Sequence, residues 1–549
     1  MAPKFPEVNV APGEGQSPKS MMTDQDWDIK AFPHLHNFDG TNGKDQERKV
    51  KLTAQRYFIQ RICNKEARFS KCPAYLYAAV AYLEERQINR NISLVGLRGR
   101  RLQTEDGKVS YELDDEYRAI ESIPNTPKYW KKAKYEVLAK LDNFGPFQVF
   151  FTLSCADLRW EANFAAILLE KGYSINIKVA PKDGVPTPEI EARSAGGAWK
   201  PIKQFIAEDV EESNHELIRG NVLTATRYFH QRVKLFINKI VMAKSNPLCA
   251  KYYSYKVEFQ QRGAAHVHGI IWLNLFRLEK LILKDGELAH PPDDYVIRDQ
   301  ESSYSPLKGI AKVFLKLRNC ERLSKEDISI LTVFIDSFTT VSTHGPTVGD
   351  DVVAIVKEVN THNHSYTCLK RGTDCRFKYP RPPAPYTIVA EPLENLELAE
   401  ERKILKKHKD VITAVLDALE DSTIVEDLME KFDKASEKAG SEHREGRVKR
   451  IQELCKHAKV SYQDYIKALS TSRLGYTVVL QRDVDEIYVN SYNAEWIRAW
   501  DGNIDFQIAL DFFSIITYIT DYYSKDDSGT SELIKQGMAE CTSKEVIVR

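Results

Sequence analysis

The stretch Val257 to Leu273, VEFQQRGAAHVHGIIWL, alternates apolar and polar residues on both sides of an Arg262-Gly263 turn signal. Alternation is the period of a β-strand, so the segment reads as a hairpin with one buried face. Val257 and Phe259 join Val267 and Ile271 on the apolar side, while Glu258 and Gln260 share the other face with His266 and His268. Histidines two apart on a strand project together, about 6 to 7 Å apart. Two imidazole nitrogens beside one or two side-chain oxygens suit a divalent cation that keeps positions open for substrate. A His-x-His pair is more often simply hydrogen-bonded, so the chemistry depends on what else the chain carries.

The 549 residues are enough for several domains, each with its own core. No run of 18 apolar residues is present, and the start MAPKFPEVNV lacks the apolar core of a signal peptide. Neither a membrane span nor secretion is therefore expected. Nine scattered cysteines fit a reducing compartment better than a disulfide framework. With 78 basic and 78 acidic side chains the net charge is zero, so any attraction to nucleic acid must be local. Three basic patches qualify, represented by Arg98, Arg100 and Arg101, by Lys131 and Lys132, and by Arg376 and Arg381. The last two interleave aromatics with cations, as a surface for single strands requires.

Periodicity divides the chain further. Residues 1–28 are rich in Pro, Gly, Ser and Asp and read as a disordered tail. Helical spacing predicts two helices between Lys51 and Asn91, a long helix over Val222 to Met242, and helix over Ile310 to Phe338. Gly145 to Leu158 reads as a strand and loop, and Tyr476 to Asn503 as a Tyr/Asn-rich strand and loop region. Residues 391–470, dense in Glu, Lys, Leu and Ala, form a charged helical insertion. A closing helix is expected from about Phe506 to Lys525. On it Tyr518, Tyr522 and Lys525 form one stripe within about 60°, apart from the packing face of Phe512, Ile515, Ile516, Ile519 and Tyr523.

A phenol attacks a phosphodiester when a metal polarises the phosphate and a nearby cation eases loss of the phenolic proton. Lys525 is spaced to supply that cation. The resulting phosphotyrosine keeps the energy of the phosphodiester, and a second tyrosine can hold a second strand for exchange.

Four separated blocks carry a family likeness: Phe32 to Ile92, Val149 to Trp160, Glu258 to Leu273, and Asp485 to Gln507 leading to YITDYYSK at Tyr518 to Lys525. In order and approximate spacing the chain resembles the replication-initiator region of Helitron rolling-circle transposases, members of the HUH single-strand endonucleases. The resemblance implies an α+β fold: an HUH-type nuclease domain with a central antiparallel sheet flanked by helices, plus helical accessory modules and a small zinc-binding segment. It implies a helical DNA-binding module over 29–140 and a nuclease core split between 141–310 and 471–549. Between them lie a helical and Cys/His-rich segment, 311–390, and the charged insertion.

Residue by residue, His266 and His268 match the family's metal ligands, with Glu258 or Gln260 as the third, and Tyr518 and Tyr522 match its paired nucleophiles. The implied cofactor is Mg2+ or Mn2+. The implied activity is nicking and strand transfer on single-stranded DNA through a 5′-phosphotyrosine, in the nucleus, with a helicase in cis or in trans and no membrane partner. THNHSYTCLKRGTDCRFKYPRP resembles a further family block, and His362, His364, Cys368 and Cys375 suit a tetrahedral structural zinc.

Two departures stand out. Asp521 occupies a position where the family commonly has lysine, and no GxxxxGK[ST] phosphate loop occurs in these 549 residues. The alternative reading is a catalytically impaired, transposon-derived DNA-binding protein. A zinc hydrolase using His266, His268 and Glu258 is a further rival, but it gives the tyrosines no task.

Overall fold

The computed structural model describes residues 20–24, 26–36, 49–50, 52–64, 66–98, 102–103, 109–110, 127–182, 185–259, 264–284, 287–289, 305–344, 348–366, 368–369, 375–393, 397–433, 441–473 and 475–510. These fall into two compact units. One lies within Val137–Trp160 and Arg227–Ile519, the other within Met1–Glu136 and Glu161–Thr226.

Four strands drawn from distant parts of the chain build the central sheet of the first unit: β1 (Val149–Ser154), β2 (Ala250–Phe259), β3 (Ala265–Leu273) and β4 (Ile504–Ile508). Their spatial order is β4-β1-β3-β2, every pair antiparallel. The fold is mixed α+β. Period-two alternation puts Val149, Phe151 and Leu153 on the same face as Val267 and Ile271 of β3 and Ile504 and Phe506 of β4, all essentially inaccessible to water. Against this face pack Phe229, Val233 and Phe236 from the helix Val222–Phe236, and Trp496 and Trp500 from the helix Ala494–Trp500. Each such side chain contributes roughly 1.5–3 kcal/mol by leaving water. Trp500 Nε1 donates to Ser154 O at 2.9 Å, and Trp160 Nε1 to Asp501 O at 2.8 Å, so the indoles bury their apolar area with the polar edge satisfied.

The opposite face of the sheet changes character along the strands. Phe150, Ile270 and Trp272 make one end apolar, whereas Ser154, His266 and Asn503 cluster at the other.

Within the same unit the helices Leu398–Ala418, Ser422–Asp433, Ser441–His457 and Tyr462–Leu469 enclose a second core around Val415, Leu428, Ile451, Leu454 and Tyr465. Arg450 in that module donates from Nε to Asp483 Oδ1 at 2.9 Å and from its terminal nitrogen to Oδ2 at 2.5 Å, both side chains being buried. The other unit holds two further cores. The helices Ala54–Ile62 and Pro73–Arg98 pack around Tyr57, Phe58, Phe69 and Tyr75. A three-stranded sheet of Ser174–Lys182, Val185–Arg193 and Lys200–Pro201 packs on the helices Glu161–Glu170 and Ile202–Asp209 through Phe164, Leu168 and Phe205. No described helix is long and apolar enough to cross a membrane.

Several expectations need correction. Phe506 does not open a helix: Ile504, Phe506 and Ile508 alternate inward on β4 while Asp505 and Gln507 face the other way, a strand signal overridden in reading by the helical spacing beyond it. The loop region before it contains the helix Ala494–Trp500, capped by the Asn493 side chain on Trp496 N–H. Phe259 is 59% exposed, because it sits at the end of β2 where the sheet no longer covers it. The helix Val222–Phe236 continues through a π-helical turn, Ile237–Val241, and the 310–338 stretch splits into Ile310–Arg318 and Lys325–Phe338, the second begun by a capping box at Ser324.

Candidate metal centres

His266 and His268 lie on β3 with ring centroids 4.6 Å apart. Glu258 on β2 is directly opposite His266, yet its Oε2 reaches diagonally to His268 Nε2 at 3.3 Å. Two cis ligands bonded at ~2.1 Å to one octahedral ion are ~3 Å apart, so this pair is already near ligand spacing. His266 meets a different partner. Ser154, opposite it on β1, brings Oγ to 3.1 Å from Nδ1. Burial pushes the His266 pKa down to about 4, which keeps the imidazole neutral near pH 7, the form that binds metal. Gln260, the other candidate ligand, lies outside the described residues, as do Tyr518, Tyr522 and Lys525.

Among the described residues, two groups bring every ligand atom within 4.8 Å of the rest. The His266, His268 and Glu258 set is not one of them, since its contacts are pairwise. The first group is His362, His364, Cys368 and Cys375. Cys368 Sγ lies 3.6 Å from His364 Nδ1, and Cys375 Sγ lies 3.4 Å from His362 Nε2. Tetrahedral zinc with bonds of ~2.3 Å to sulfur and ~2.0 Å to nitrogen separates S from N by ~3.5 Å, so donor set and spacing both fit that ion. The backbone prepares the site. Ser365 N–H donates to Cys368 Sγ at 3.2 Å, and His362 N–H donates to Tyr488 O at 2.8 Å. Lys378 closes the turn after Cys375 with φ of 60°, its N–H donating to Cys375 O at 2.8 Å. Glycine suits this left-handed backbone better than lysine does.

The second group, His344, Asp485 and Glu486, carries no sequence signal, because His344 is 141 residues before Asp485 and the three follow no ligand spacing. His344 Nε2 is 3.5 Å from Glu486 Oε1 and 3.8 Å from Asp485 Oδ1. Burial, reinforced by the charges of Glu486 and Asp483, raises the Asp485 pKa to about 6. Also unforeseen was Asp505, on the same sheet face as the histidines, raised to about 6 by burial and held by Ser491 Oγ at 2.9 Å.

The basic patches are partly visible. Lys131 and Lys132 are exposed on the helix Pro127–Phe144, with Lys131 Nζ 5.9 Å from the centre of the Tyr135 ring. Arg376 stacks over Phe377 at 4.4 Å and Arg381 over Tyr379 at 5.1 Å, beside the cysteine–histidine cluster. Arg98 ends its helix, its side chain outside the described residues, as are Arg100 and Arg101.

Residues 193–271 match the family described as the Helitron helicase-like domain at the N-terminus. That span contains the helix Val222–Phe236, β2, and both histidines of β3. No curated protein and no solved structure matches the chain. The match makes this segment similar to a domain of Helitron proteins.

Proposed function

We propose that this protein is a metal-dependent endonuclease and strand transferase for single-stranded DNA in rolling-circle transposition. The observation that carries the reading is the convergence of Glu258, His266 and His268 on the polar end of one face of an antiparallel sheet, inside the segment that matches the Helitron family. His266 and His268 would hold Mg2+ or Mn2+ with Glu258 as the third ligand. Bound there, the ion supplies Lewis acidity to a phosphate oxygen.

The nucleophile is assigned from the family resemblance, to Tyr518 or Tyr522. The phenolate oxygen attacks phosphorus, the P–O3′ bond breaks, the 3′ oxygen takes a proton, and a 5′-phosphotyrosine forms. Lys525 eases loss of the phenolic proton. His362, His364, Cys368 and Cys375 would hold a structural zinc that orders the Arg376 and Arg381 surface for a single strand. Arg98, Arg100, Arg101, Lys131 and Lys132 extend the DNA contact. The setting is the nucleus, with a helicase in cis or in trans.

Asp521, an acid among the tyrosines, favours a second reading: a DNA-binding relative that no longer cuts. Labelled single-stranded oligonucleotides incubated with the protein and Mn2+ decide on a denaturing gel. A covalent adduct lost in the Tyr518→Phe/Tyr522→Phe double variant supports the nuclease. Binding with no adduct supports the second reading, and metal-dependent cleavage that survives the double substitution refutes both.

A further inference from the structure

The polar cluster behind His266 has a definite hydrogen-bond direction that can be read from the main chain outward. Ile504 N–H, a donor whose direction cannot change, points at the Asn360 side chain at 3.0 Å, so the atom there is the acceptor Oδ1. The other end of that amide faces Asn490 O at 3.1 Å, where only Nδ2 can sit. Flipping Asn360 would set donor against donor and acceptor against acceptor, with the residue almost wholly buried.

Asn503 is fixed in turn. Its Nδ2 serves Asn360 Oδ1 at 3.0 Å and Val359 O at 2.9 Å, two acceptors that exclude the flipped amide. Asn503 Oδ1 must therefore face Ser154, whose Oγ is 3.1 Å away. Two acceptors at that distance need a proton between them, and only the serine hydroxyl has one. With that proton committed to Asn503, Ser154 Oγ can only accept from its remaining neighbour, His266 Nδ1 at 3.1 Å.

We propose that this relay, from Ile504 through Asn360 and Asn503 to Ser154, holds His266 as the Nδ1–H tautomer and so presents Nε2 as the lone pair for a metal ion. Ser154, Asn503 and Asn360 are positioning residues. The inference rests on the reading of His266 as a ligand. It deepens that reading by naming the partners that orient the ring, a task that ligand histidines elsewhere give to a carboxylate or a backbone carbonyl. The main chain holds the serine as firmly as the ring: Ser154 N–H donates to Asn503 O at 2.9 Å and Ser154 O accepts from Trp500 Nε1 at 2.9 Å.

The first test is spectroscopic and needs neither metal nor DNA. In the full-length protein labelled with 15N-histidine, near neutral pH, the His266 signals are assigned by their loss in His266→Gln. A protonated Nδ1 and unprotonated Nε2 are expected, and a protonated Nε2 or an even mixture overturns the proposal. Calorimetric titration with Mn2+ is the second readout, scored on the site that His266→Gln abolishes. Ser154→Ala should weaken that site about 10–100-fold, while Ser154→Thr, which keeps the hydroxyl, should bind like the wild type. Equal affinity in Ser154→Ala overturns the relay. Should Ser154→Ala not fold, the wild-type spectrum still decides. An Nδ1–H tautomer in a protein that forms no DNA adduct would leave the relay standing and sink the nuclease reading, and an adduct with the opposite tautomer would do the reverse.

Discussion

Gly269 lies on β3, the histidine strand, on the face turned toward the core, and replacing it tests the sheet register on which the candidate site depends. In the β1–β3 ladder Gly269 is directly opposite Phe151, and the outer end of the ring occupies the space of the missing side chain. A Cβ at 269 would stand 2.2 Å from Phe151 Cζ and 2.3 Å from Cε1. Ordinary contact is ~3.5–4.0 Å, so the ring must move by more than ~1 Å. It has nowhere to go: Phe151 is fully buried, with Trp496 edge-on at 5.4 Å between ring centres. Overpacking costs ~1–3 kcal/mol, and so enclosed a ring puts Gly269→Ala at the upper end, about 3 kcal/mol. At ~2–4 °C per kcal/mol, circular dichroism melting should show a Tm roughly 6–12 °C lower than wild type. Phe151→Leu in the same chain should relieve the clash, making the double variant at least ~1 kcal/mol more stable than the sum of the single losses. A Gly269→Ala protein that melts like wild type, or a strictly additive double variant, would refute the register.

Three further outcomes follow from single sites. Lys378→Gly should raise stability by up to about 1 kcal/mol, measured by urea unfolding, because it removes a side chain from left-handed backbone while keeping the N–H hydrogen bond to Cys375 O. Cys375→Ser should lower bound zinc, measured by elemental analysis, from one ion per chain toward none, and the wild type should lose helical signal in a strong chelator. Arg450→Met leaves Asp483 buried with the more distant Arg447 as its remaining cation among the described residues, and should cost about 3 kcal/mol near neutral pH. Burial pushes the Asp483 carboxyl up, but Arg450 more than offsets this and holds its pKa below the ordinary value. The ion pair therefore stabilises fully above the unfolded carboxylate pKa of about 4, and that contribution is lost as pH falls through the lower folded value. Chemical unfolding at a series of pH values should show the gap between wild type and Arg450→Met closing below about pH 4.

What a reader of the chain could see depended on range. Strand alternation around Arg262-Gly263 placed Glu258 with His266 and His268 on one face, because side-chain direction in a strand is a local property of the backbone. Helical spacing between Lys51 and Asn91 and across 391–470 likewise predicts the helices found there. The grouping of the four Cys/His residues of 362–375 was legible from side-chain type, since all four fall within one short stretch of chain. The strands Ser174–Lys182 and Val185–Arg193 were missed although Asp183-Gly184 is a hairpin signal, because prolines at 181, 186 and 188 break up the apolar pattern.

By itself, the sequence determined the local geometry of the histidine strand, the grouping of donor side chains in the cysteine–histidine segment, and the family likeness. Only the tertiary structure decided which partner each histidine has. Ser154, Asn360 and Asn503 lie 112, 94 and 237 positions from His266 and share no periodicity with it. They meet because β1, β3 and β4 pair out of sequence order, and that pairing is chosen by the apolar residues on the far face, Phe151, Val267 and Phe506. Burying those residues sets the register, and the register brings serine and asparagine to the ring.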